Sequence, residues 1–131
     1  MKSALLGVVA AALLGSATAC IGIFSPTEPI ILGVSEIEAP ASISPGTPLT
    51  VALNVELGGC KRFDRIETER SATGASVTVW GRTRTGRGTV CTTDIRFESH
   101  SVRFDPPFTS TFTLSVHRGR MPPHQVVVRV E

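Results

Sequence analysis

Leu49-Thr50-Val51-Ala52-Leu53-Asn54-Val55-Glu56-Leu57 is the stretch on which the fold turns. Leucine or valine fills every odd position, and Thr50, Ala52, Asn54 and Glu56 fill the even ones. A strand sends successive side chains to opposite faces, so this two-residue period predicts a strand with one buried face. The pattern recurs over residues 110–117, with Phe112, Leu114 and Val116 inward. It recurs again over 124–131 through Val126, Val128 and Val130. Over 75–81, Val77 and Val79 alternate with Ser76, Thr78 and Trp80.

Three further segments are less regular. Residues 30–39 hold Ile30, Leu32 and Val34 in one phase and Ile37 and Ala39 in the other. A bulge or a change of sheet near Ser35-Glu36 reconciles the two. Residues 91–104 slip in the same way, with Ile95 and Phe97 against Val102 and Phe104. Residues 61–70 contain only Phe63 and Ile66 as apolar members and suit an edge strand. Turn chemistry separates the segments, at Ser44-Pro45-Gly46, Gly58-Gly59, Thr73-Gly74, Gly86-Arg87-Gly88, Asp105-Pro106-Pro107 and Arg118-Gly119-Arg120. No helical period follows residue 20. Short strands at this spacing predict an all-β fold, a seven-stranded antiparallel β-sandwich.

Over residues 30–131 this pattern resembles immunoglobulin-like or fibronectin-III-like domains. The resemblance implies two packed sheets and an immunoglobulin-like topology, and it names no activity. The chain departs from the antibody pattern in its cysteines, since Trp80 sits late between Cys60 and Cys91.

Composition narrows the function. The chain has 131 residues, enough for one domain. Its 13 Lys+Arg against 11 Asp+Glu argue against a nucleic-acid binder, which shows a strongly basic face. An apolar fraction of 41% supports a real core. The charge is nevertheless uneven. Between Lys2 and Lys61 there is no basic residue, and residues 61–131 carry twelve bases against seven acids.

The N-terminus reads as an address. Lys2 precedes an apolar run over residues 4–14, and small residues follow from Gly15 to Ala19. That order predicts a secretory signal over residues 1–19, cut after Ala19. The run is short for a membrane span, which needs about 20 apolar residues. Residues 17–20 resemble the lipobox of bacterial lipoproteins. Thr18, Ala19 and Cys20 match it, and Ala17 stands where leucine is usual. The resemblance implies lipidation of Cys20 and a protein exported and anchored at the bacterial cell envelope. Residues 20–29, with Pro26 and Pro29, then read as a tether, and 30–131 as the β-sandwich domain.

With Cys20 assigned to lipid, Cys60 and Cys91 remain as a pair. An exported chain meets an oxidising compartment, so a disulfide is expected. If consecutive strands alternate in direction, Cys60 and Cys91 meet at one pole of the sandwich. Lys61, Arg62, Arg82, Arg84 and Arg87 gather there as candidate binding residues. The first strand starts at the same pole. A bulge at Ser99-His100-Ser101 would bring Arg118 and Arg120 to it, and a tight turn would send them to the far end. The lack of Gly, Pro or Asn favours the bulge. A basic pole beside a lipid anchor suits anionic lipid headgroups. Arginines scattered in solvent and paired with Asp64, Glu67 and Glu69 are the plainer reading.

Candidate chemistry is sparse. His117 and His124 flank the last hairpin and could meet across it as metal ligands, which makes a metal-dependent protein one alternative. No Gly-x-Ser-x-Gly elbow or phosphate-binding loop is present. Glu36 and Glu38 share a strand face without further partners. Trp80 projects from the outer face, either for recognition or stacked under an arginine such as Arg82. The expectation is a non-catalytic envelope lipoprotein without cofactor or metal, partnered by the membrane and by an envelope protein or lipid headgroups. A secreted protease-inhibitor-like domain is the other alternative.

Overall fold

The computed structural model describes residues 26–131. The signal segment 1–19, the lipidation site Cys20 and the tether up to residue 25 lie outside the described residues.

Strand β4 (Leu49–Gly58) is the stretch quoted first, and its odd positions are all buried. It is the middle strand of a three-stranded sheet, between β2 (Gly33–Glu38) and β7 (Ile95–Phe104). The larger sheet is organised on β6 (Gly74–Arg84). One edge of β6 carries β5 (Lys61–Arg70) along its length. Its other edge is shared by β8 (Phe112–Arg118), parallel over Gly74–Val77, and β1 (Thr27–Ile31), antiparallel from Trp80 onward. Strand β9 (Met121–Val130) pairs with β8, and the short β3 (Ser42–Ile43) pairs with the end of β9.

Both sheets contribute to one apolar core. Leu49, Val51, Leu53, Val55 and Leu57 from the smaller sheet cluster with Val77, Val79, Phe112, Leu114, Val116 and Val128 from the larger. Each such side chain contributes about 1.5–3 kcal/mol on burial. The two sheet margins also meet, where Phe63 of β5 stacks on His100 of β7 with ring centroids 3.8 Å apart.

Residues 30–39 do not form one strand, and a bulge within them accounts for the phase slip. The chain changes sheet at Leu32, whose amide donates to the Val79 carbonyl at 2.9 Å. A bulge then lies between Val34 and Glu36, as the alternation required. Gly81 makes the crossing possible, because a Cβ there would stand 2.6 Å from Leu32 Cδ2. The sheet also begins earlier than expected. Thr27 to Pro29, assigned to the tether, belong to β1.

The structure corrects three other expectations. The fold has nine strand segments among the described residues, not seven. The sheet change divides one expected strand, and β3 is too short to show a period. Second, the pairing is not wholly antiparallel, since β6–β8 and β3–β9 are parallel. From β6 the chain reverses into β7 in the other sheet and reverses again into β8. Two reversals return it beside β6 in the same direction. Third, β7 pairs with β4 from Leu49–Phe104 to Gly58–Ile95 with neither bulge nor turn at Ser99-His100-Ser101. Val102 and Phe104 hold the core phase, while Ile95 and Phe97 point outward and stay exposed.

The end of the molecule opposite Cys60 is capped by Arg70. Its guanidinium lies 4.7 Å from the Phe108 ring centroid and donates to the carbonyls of Asp105 and Pro107. This cation anchors the chain between β7 and β8 over the core.

Candidate functional site

The candidate site is the pole where β4 ends. Gly58, Gly59 and Cys60 turn the chain into β5, and Cys60 is bridged to Cys91 with Cα atoms 5.1 Å apart. The disulfide joins the start of β5 to the segment leading into β7. The Arg84 amide donates to the Cys60 carbonyl at 3.2 Å, so the end of β6 is tied to the same point. The Thr85 amide donates to the Pro26 carbonyl at 2.9 Å. The described chain therefore enters the fold beside this loop.

Residues 85–89 form an ordered turn. The Thr89 amide donates to the Gly86 carbonyl, and the Thr89 hydroxyl donates to that of Thr85. Gly86 and Gly88 have φ of 115° and 76°, a region that side chains disfavour. Arg87 sits between them and is exposed.

The expected bases are brought together here in two groups. Lys61, Arg62, Arg84 and Arg87 are exposed and form no ion pair among the described residues. Arg82 is half-buried, with Nε 4.0 Å from Asp64 and a nitrogen 3.4 Å from the Thr27 hydroxyl. Arg118 and Arg120 stop short of the pole. Strand β8 runs toward it, but its last pair with β6 is Val77–Val116, and β1 takes the β6 edge beyond that level.

Trp80 stacks under an arginine, but under Arg65. The guanidinium stands 5.5 Å from the ring centroid. A bulge between Phe63 and Arg65 skips Asp64 and sets Arg65 directly opposite Trp80. Arg65 also bonds Asp64 at 2.7 Å and Glu67 at 2.9 Å. The Trp80 indole donates to Glu67 Oε2 at 2.9 Å. This hydrogen bond, with that of Arg65, holds the Glu67 carboxyl below its ordinary value of 4.5. A depressed carboxyl contributes fully above its unfolded value and loses that contribution as pH falls through the lower folded value. Tryptophan fluorescence should accordingly shift in acid, with a midpoint below that of a free glutamate. Glu67→Gln should abolish this step, and an unchanged titration in that variant would assign it elsewhere.

The histidines are placed separately. His124 stands opposite Val116, on the core face, and is half-buried. His117 lies in the bulge before Arg118 and is exposed. No three His, Cys, Asp or Glu side chains gather as a metal-binding group among the described residues. Glu36 and Glu38 stand opposite Asn54 and Ala52 on the exposed face of their sheet.

Sequence reasoning missed the apolar side of this pole. Val90 is 87% exposed, Ile95 61% and Phe97 56%. The signal was present, since Ile95 and Phe97 broke the phase of their strand. No family model, curated protein or solved structure matches the chain.

Proposed function

We propose that the protein is an exported lipoprotein, held at the cell envelope through Cys20, whose immunoglobulin-like β-sandwich stands on its Cys60–Cys91 pole and works by binding or support, not catalysis. The observation carrying this reading is the position of Pro26 against Thr85, inside the cluster of unpaired bases. Six residue steps separate a lipid on Cys20 from Pro26. At ~3.3–3.6 Å per extended residue they reach about 20 Å, so the basic pole is the part of the domain held nearest the bilayer. Each Lys or Arg near an anionic surface adds up to about 1 kcal/mol. Two sheets around one core support the immunoglobulin-like reading, with the parallel β6–β8 pair as its departure from a purely antiparallel sandwich.

Mass spectrometry of the mature N-terminus tests the proposal. An acylated Cys20 as first residue, in protein recovered with membranes, is the expected result. An unmodified Cys20 or an intact Met1 overturns it.

A further inference from the structure

We infer that Val90, Ile95 and Phe97 form an apolar wedge that seats in the interfacial layer of an anionic bilayer, as a second membrane contact beside the lipid. The inference rests on the tethered reading above.

Five large apolar side chains are conspicuously exposed among the described residues. Val90, Ile95 and Phe97 are three of them, within eight positions of one another and around the disulfide. The other two, Met121 and Val127, lie on β9. Clustered exposure of this kind marks an interaction surface. Its presentation is rigid, because Cys91 is cross-linked and Ile95 begins a strand paired to β4. Ile95 stands opposite Gly58, so no neighbouring side chain across the pair covers it.

Two observations identify the occupant as a lipid surface. The 25 residues outside the described structure join the fold at Pro26, on this same pole. On its side toward the larger sheet the wedge is also bordered by charge of the matching sign, from Lys61, Arg62, Arg84 and Arg87. Glu56 stands opposite Phe97, and Arg96, on the other face of β7, is 4.0 Å from Asp94. Long basic side chains can reach headgroups while shorter apolar ones enter the layer beneath.

The full processed chain, purified from membranes and reconstituted in phosphatidylglycerol–phosphatidylcholine vesicles, provides the test. Trp80→Phe removes the native indole, and Phe97→Trp, Val90→Trp or Val127→Trp then places a single probe. Quenching by brominated lipid should be about threefold stronger at positions 97 and 90 than at 127, as expected for a group within the interface. Membrane-bound protein with equal quenching at all three positions overturns the wedge and leaves the tether standing. A chain that does not stay with vesicles at all overturns the tether, and the wedge with it.

Discussion

Phe112→Ala should destabilise the protein by about 3–5 kcal/mol, the range for removing a buried aromatic ring. Phe112 is fully buried. Its ring meets Phe108 nearly edge-on at 5.2 Å and Phe104 at 5.7 Å. Arg70 lies 5.7 Å away on the outer side. Deleting the ring opens a cavity between the two sheets, and it also removes the surface on which Phe108 and Arg70 rest. Domains of this size are stable by about 5–15 kcal/mol, so the variant should lose a large share of that stability. Urea unfolding followed by circular dichroism checks this. Val127→Ala, on an exposed outer face, should change stability by less than about 0.5 kcal/mol. A loss below about 1 kcal/mol for Phe112→Ala would contradict the packing described.

Removal of the disulfide should have an effect of similar size by a different route. Cys60 and Cys91 close a loop of 31 residues. In the chain-entropy model that closure stabilises by roughly 3–4 kcal/mol, through the unfolded state. The double variant Cys60→Ser/Cys91→Ser should match the reduced wild type in urea unfolding. Local effects should separate as well. Amide exchange should accelerate in residues 85–94, which the bridge pins, and change little in β8 and β9. Stability unaltered by reduction would show that the bridge constrains nothing the sheets do not already hold.

Much of the fold was legible because burial follows a period. Leu49 to Leu57 and Phe112 to Val116 alternate cleanly, each facing one core, and their inward sets were readable directly. The Cys60–Cys91 pairing followed from counting thiols and strand directions. What was not legible depended on three-dimensional neighbours. The parallel β6–β8 pair arises from an excursion of β7 into the other sheet, which leaves no local mark. Arg65 rather than Arg82 covers Trp80 because a bulge in β5 shifts the register by one residue. Arg70 looked like one more surface cation, and its task of holding Asp105 and Pro107 over Phe108 joins distant parts of the chain. Ile95 and Phe97 were read as core residues displaced by a bulge. They break the phase because they are not core residues, and an edge strand tolerates that.

The pairing of β3 with β9 bears on when the domain becomes whole. Ser42–Ile43 joins Arg129–Val130, and the Glu131 amide donates to the Ile43 carbonyl at 2.9 Å. A polypeptide made in N-to-C order thus holds β3 without its partner until β9 has been released. Such non-local topologies also close slowly, in milliseconds to seconds. Until β9 is in place β3 has no edge of the larger sheet to join, so that margin of the domain closes last.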